Sequence, residues 1–415
     1  MHKNIETGKV ALNNPEHLNN GTPKEKWIEE WTDRIARVKV RCSRCLYDET
    51  VPNISFDAAG VCNYCKMHDQ LEKDYTAGDT GYAKIKQIAA QIKEENKCKE
   101  FDIVVGVSGG CDSSYLIYLA KELGLRPIAA HFDNTWDSMV AVENISNVLK
   151  NLDVELFTYV VDNEEYDDIY RSLFKAGVPD LEMPTDLGLA ATLNMAAEKY
   201  GIKHIFEGHS FRTEGLFPLG WLYMDARYLE SIQNTFGTRK LRSFPNLWLS
   251  SQLRWMLLKR IRKIRPLWYI TYDKTKVKEF LSGDLGWKCY GGHHLENRIT
   301  TFYHTYFLPR RFQVDDRLVE CSALIRSNQM AREEGLRIIH TPPIYDPELV
   351  TMVKKRLGFS DEEFEQYMTM PKRYFKEFRT YKQLFERMRP FFWLMAKMDL
   401  IPMSFYIKYT SKNNI

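Results

Sequence analysis

From residue 101 the chain alternates two kinds of pattern. Runs rich in apolar residues at 101–106, 127–132 and 154–161, and a shorter one at 203–207 centred on Ile205 and Phe206, are separated by stretches whose apolar positions recur every three or four residues, at 113–123, 138–152 and 187–200. A strand buried on both faces reads as a continuous apolar run, and a helix lying on it shows an apolar stripe of helical period. The alternation predicts an α/β domain, a parallel sheet covered by helices on both faces, with ligands bound beyond the carboxyl ends of its strands. Residues 82–97 predict a helix leading into the first strand, and Trp27, Trp31, Ile35 and Val38 share one face of an earlier amphipathic helix. Beyond about residue 270 the strand signal fades and helical, aromatic-rich sequence predicts a mostly helical C-terminal domain. The expected division is an extension at 1–40, a cysteine module at 41–75, the α/β domain at 76–270 and the helical domain at 271–415.

The length of 415 residues exceeds what one hydrophobic core usually serves, which agrees with several domains. A net charge of +3 is too small to argue for nucleic acid, and none is expected as a partner. A local basic cluster of Arg254, Lys259, Arg260, Arg262, Lys263 and Arg265 reads as a solvated helix face rather than a polyanion surface. Residues 1–22 lack the apolar core of a signal peptide, and the hydrophobic stretch 391–406 is broken by Lys397, Asp399 and Pro402. A cytoplasmic protein without a membrane span is expected.

Four of the eight cysteines fall as Cys42-x₂-Cys45 and Cys62-x₂-Cys65. Two such pairs converge four thiolates on one metal, which predicts a structural zinc knob, with an iron–sulfur cluster as the other occupant four thiolates accept. Cys98, Cys111, Cys289 and Cys321 show no pairing.

The run Val107-Ser108-Gly109-Gly110-Cys111-Asp112-Ser113-Ser114 follows the first strand and opens the next helix. Glycines let a ligand approach the backbone, and successive amides at a helix start make an anion site. The hydroxyls of Ser108, Ser113 and Ser114 add donors, and Asp112 is placed to hold Mg²⁺. The loop is not a Walker A motif, because no lysine follows the glycines. Cys111 reads as a tolerated small residue or, less simply, a thiol nucleophile. At the other strand ends lie Asp133 and Asn134, which suit either a nucleotide's ribose and base or a plain turn, and Glu207, Gly208 and His209. Further on, residues 286–296 place Gly291, Gly292, His293, His294 and Glu296 in one loop, followed by Arg310, Arg311, Asp315, Asp316 and Arg317, whose guanidinium groups suit phosphate or carboxylate.

Ser108 to Ser114 resembles the SGGxDS pyrophosphate loop of the PP-loop ATP pyrophosphatases (adenine nucleotide α-hydrolase-like). Together with residues 41–65, the segment 286–296 and its continuation through Leu308-Pro309-Arg310 to Arg317, the pattern resembles the N-acetyl sugar amidotransferases of bacterial surface-polysaccharide and flagellin-glycan biosynthesis. It departs from that pattern where Cys111, His293 and Asp316 stand in place of lysines. The resemblance implies that ATP adenylates the acetamido oxygen of a nucleotide-activated or related sugar, and that ammonia then displaces AMP to leave an acetamidino group. Such chemistry serves lipopolysaccharide and O-antigen assembly. It implies Ser108, Asp112, Glu296, Arg310 and Arg317 in catalysis, with ATP and Mg²⁺ held by residues 108–110, 112–114, Asp133, Asn134 and Gly208. A separate glutaminase and a cyclase-like ammonia-conducting subunit are the implied partners. The competing reading is a PP-loop enzyme that thiolates tRNA.

Overall fold

The computed structural model describes residues 26–410 except 219, 291–294, 399 and 402. Residues 1–22, His293 and His294, singled out above, therefore lie outside the described residues. Five strands form one parallel sheet: β1 (Ile103–Gly106), β2 (Pro127–Asp133), β3 (Leu156–Val160), β4 (His204–Phe206) and β5 (Arg262–Ile264), in the order β3-β2-β1-β4-β5. Val104 of β1 pairs with Ile128 on one side and with Ile205 on the other.

Successive side chains of β1 go to opposite faces, as a strand's period of two requires. Ile103 and Val105 pack with α1 (Gly78–Glu95), α2 (Cys111–Glu122) and α3 (Met139–Leu152), while Val104 packs with α4 (Met183–Lys199). The four strands and the helices Cys111–Glu122, Met139–Leu152 and Met183–Lys199 fall near where the apolar pattern puts them, whereas the helix Asn163–Ala176, between the third and fourth strands, is not among those expected. The pairing of β1 to both β2 and β4 is the point where strand order reverses, and the turn leaving β1 opens over that crevice.

The basic run at 254–265 differs from expectation. Only residues Arg254–Leu258 are helical, as a wide π turn; Arg262–Ile264 instead form β5, an edge strand beside β4. Charged side chains suit an edge, where one face stays in water. The charges are also largely answered: Arg254 and Lys259 pair with Glu198, and Lys263 and Arg265 with Glu207. Burial opposes the Glu207 charge, but Lys263 and Arg265 outweigh it and hold the carboxyl down at about 2.

The amphipathic helix of the extension is Lys26–Arg37, with Trp27 and Trp31 buried; Val38 lies just past its end. The cysteine module packs Leu46, Tyr47 and Tyr64 against Leu318, Val319 and Ile339 from the C-terminal part. That part is built of helices around an aromatic core that includes Phe174, Phe302, Phe307 and Phe364. No described helix is long and apolar enough to cross a membrane.

Candidate active site

The loop after β1 is shaped by one glycine. Gly109 has φ +78°, and a Cβ there would lie 2.4 Å from the Ala141 carbonyl oxygen. Its own carbonyl is fixed by Trp287 Nε1 at 2.9 Å and Asn144 Nδ2 at 3.1 Å. Gly109→Ala combines a left-handed backbone with a backbone clash, and should cost about 1–3 kcal/mol and remove ATP binding. Thermal unfolding and nucleotide titration of the variant check both outcomes.

Gly110 caps α2 without any side-chain cap, which leaves the helix's first amides turned toward the crevice. Around them stand Ser108 and Ser113, their hydroxyl oxygens 3.3 Å apart, and Tyr290, whose hydroxyl accepts from the Cys111 amide at 3.3 Å. Ser114 is buried on the inner side of the helix. Gly208, at the end of β4, abuts the helix start: a Cβ there would sit 3.7 Å from the Ser113 nitrogen. Glu296 comes from far along the chain to accept from Ser108 Oγ at 3.2 Å, and its Oε1 would lie 2.9 Å from a Cβ on Gly110.

Asp112 is fully engaged. Tyr272 donates to its Oδ1, and Lys274 Nζ lies 3.1 Å from Oδ2. Each oxygen thus has one partner in the chain, and Asp112 orients a lysine toward the loop. Lys274 begins the helix Lys274–Asp284, which Asp273 caps by accepting from the amides of Thr275 and Lys276. A positive charge, absent at position 111, is thus brought to the loop by Lys274, from far along the chain. Cys111 itself is 2% exposed, with Sγ 3.8 Å from the Tyr272 hydroxyl, and burial pushes its thiol up to about 12. That is the behaviour of a core thiol, not a nucleophile.

Several carboxyls crowd this site, and burial acts on each of them. Burial opposes the Asp112 charge, but Lys274 and then the Tyr272 hydroxyl outweigh it and hold the carboxyl below its ordinary range. Glu214 goes the other way: burial, then the Asp112 charge, push it well above the usual carboxylate range. Burial likewise raises Glu296 and Glu320. Burial opposes the Lys274 charge too, but Asp112, Glu214 and Glu320 outweigh it and raise the ammonium's pKa. Lys274 offsets the charge of Asp112, and burial disfavours charge on the neighbouring carboxyls.

The remaining sequence candidates lie elsewhere or are occupied. Asp133 caps the Thr135 amide, and buried Asn134 accepts from the Trp136 amide at 3.0 Å and from Asn297 Nδ2 at 2.8 Å, so both serve the turn after β2. Arg310 bonds Tyr306 and pairs with Glu365; Arg311 reaches the Gly177 carbonyl; Arg317 is clamped by Asp315 and the Thr341 carbonyl. The structure brings Glu296 to the loop but not these arginines. Sequence reasoning missed Lys274, Tyr272 and Glu214. The only local sign was Asp273 as a helix cap, which marks a helix start and says nothing of a lysine's target.

The four module cysteines are buried, carry no disulfide, and bring their sulfurs within 4.8 Å of one another. Arg326, 3% exposed, donates through Nε to Cys65 Sγ at 3.3 Å and through a terminal nitrogen to Cys45 Sγ at 3.1 Å, and stacks on Tyr47. A guanidinium buried against sulfur needs negative charge there, which four thiolates around one divalent metal provide. The donor set fits a closed, structural metal site.

Residues 296–390 match the family described as "LPS biosynthesis protein WbpG-like, C-terminal domain". That match lies in the C-terminal part of the chain and leaves the sheet and its loop outside it. The WbpG-like domain begins at Glu296, the residue that touches the loop. Among curated relatives, a Methanocaldococcus jannaschii protein is 24% identical over 172 residues, 41% of this chain and 59% of its own length. The tRNA-specific 2-thiouridylase MnmA of Proteus mirabilis is 32% identical over 129 residues, 28% of this chain and 35% of that protein. The chain thus spans well under two thirds of the curated relatives it matches. The ammonia-dependent NAD synthetase of Campylobacter jejuni overlays 70% of this chain and 98% of its own at 14% identity, with a TM-score of 0.30, too loosely to bear on function.

Proposed function

We propose that the chain is an ATP-dependent amidotransferase that converts the acetamido group of a sugar, nucleotide-linked or related, to an acetamidino group in bacterial surface-glycan assembly. The observation that carries the reading is the Ser108–Glu296 hydrogen bond, which sets the first residue of the WbpG-like domain in the phosphate loop. ATP enters with its own Mg²⁺. The acetamido oxygen attacks the α-phosphorus, and the bond to the β-phosphate breaks with its electron pair on pyrophosphate. The amides opening α2, the hydroxyls of Ser108 and Ser113, and Lys274 held by Asp112 stabilise that departing charge. An amide oxygen leaves poorly until it carries a phosphoryl group. Once it does, ammonia forms the C–N bond while the C–O bond breaks toward AMP, and the amidinium keeps the positive charge. The ammonia comes from a glutaminase, through a cyclase-like partner.

The MnmA likeness favours a second reading, thiolation of a tRNA base, although it covers only 28% of the chain. Against it, Cys111 is a poor sulfur carrier at a pKa of about 12. Purified protein given ATP, Mg²⁺ and ammonium chloride should release AMP and pyrophosphate only when an acetamido sugar is added. Release that depends on tRNA instead would replace this reading with the second.

A further inference from the structure

A group of polar atoms outside the phosphate loop is buried with nothing to bond. Tyr303 is 1% exposed, and its hydroxyl has no hydrogen-bond partner. Thr300, Tyr303 and His304 lie within one turn of continuous helix, and hydrogen bonds from Thr300 to Glu182 and between His304 and Asp316 bring those two carboxyls to the same turn. Oε1 of Glu182 and Oδ1 of Asp316 are also buried and unbonded. Their other oxygens are tied, Glu182 Oε2 to Thr300 Oγ1 at 3.0 Å and Asp316 Oδ2 to His304 Nδ1. Asp180 is committed to the Tyr223 amide and the Tyr228 hydroxyl. At the loop end stands Glu296, with Oε2 unbonded and its charge felt at Glu182. Native folds seldom leave buried polar atoms unsatisfied, so a cluster of them marks a place kept for a ligand.

The chemistry of the cluster selects that ligand. Every unbonded atom of the cluster is an oxygen, and the basic side chain of His304 is tied to Asp316. A diphosphate would be repelled. A compact divalent site is not formed: the described residues that bring three ligand atoms within 4.8 Å are the four cysteines and the set His131, Asp133 and Asp137. An ammonium ion carries one positive charge and donors only.

We infer that Glu182, Tyr303 and Asp316 seat the ammonium ion whose nitrogen enters the product, an inference that rests on the amidotransferase reading. To attack, the ion passes one proton to the Glu182 carboxylate, leaving a carboxylic acid and the nitrogen lone pair free to form the C–N bond. Burial raises Glu182, His304 opposes that, and the carboxyl stands at about 7, where it both takes and returns a proton near neutrality. Thr300 lies in the helix Arg298–Phe302, which follows directly on Glu296 and Asn297, so the seat and the phosphate loop are held by one short stretch of chain.

Ammonium binding is read without turnover, by titrating the full chain with ¹⁵N-ammonium chloride against sodium chloride at equal ionic strength. Saturable binding is expected, weakened about tenfold or more in Glu182→Gln and in Tyr303→Phe, with the fold of each checked by thermal unfolding. In the AMP-forming assay both variants should raise the KM for ammonium by a similar factor and leave the KM for ATP unmoved. Absence of saturable binding, wild-type affinity in Tyr303→Phe, or a KM rise for the sugar rather than for ammonium overturns the inference. Failure of every acetamido sugar to release AMP counts against the amidotransferase reading instead, whatever the ammonium titration gives.

Discussion

Replacing Lys274 with methionine should lower AMP formation by about 10²–10³-fold, the usual loss when one preorganised donor to a developing charge is removed. Lys274 stands beside the loop, 3.1 Å from Asp112, where the proposed reaction would release pyrophosphate. The single variant also leaves Asp112 without its counter-charge among the buried carboxyls of Glu214 and Glu320. A lost partner in a buried pair costs about 3–5 kcal/mol, so low activity alone would not separate chemistry from folding. The double variant Lys274→Met with Asp112→Asn removes both charges at similar volume and should recover most of the stability. Its unfolding midpoint should return toward that of the unchanged protein while AMP formation stays low. Recovery of activity in the double variant would mean that Lys274 only neutralises Asp112 and does nothing for the phosphates.

That site shows where sequence reading reaches and where it stops. The loop was legible because its chemistry is local: Gly109 must adopt a left-handed turn, Gly110 must start a helix, and the serines sit in the same turn. The sheet was legible for a similar reason, since Ile103, Val104 and Val105 are apolar in a row only if both faces are covered. β5 was not, because Arg262, Lys263 and Ile264 have the composition of a solvated face, and only the β4 edge tells them to extend. Arg310 and Arg317 looked like phosphate ligands by type, but Tyr306 and Asp315 lie close to them in the chain and take their donors first. Lys274 shows the converse. Its function is set by where the helix Lys274–Asp284 docks, and nothing in its neighbours announces the loop it serves.

Removing the metal from the cysteine module should lower the unfolding temperature by roughly 10 °C or more, because a structural zinc supplies apparent binding energy of about 10–16 kcal/mol to the parts it holds. The effect should spread beyond the module. Leu46 bonds Ser322, Arg332 reaches the Cys42 carbonyl, and Arg326 lies against two of the sulfurs, so the module and the helix Arg317–Arg326 share one boundary. That helix also carries Glu320, whose charge acts on Lys274. Loss of the metal should therefore weaken ATP binding as well as stability, even though four thiolates leave no position open for substrate. Arg326→Met separates the two contributions. It keeps the ligands but removes the buried positive charge against which the thiolates are set, and should lower the metal's affinity while the purified variant still contains it. Metal analysis is expected to find one zinc per chain. An iron chromophore, or full stability after chelation with the metal shown to be gone, would break the link drawn here between the knob and the phosphate site.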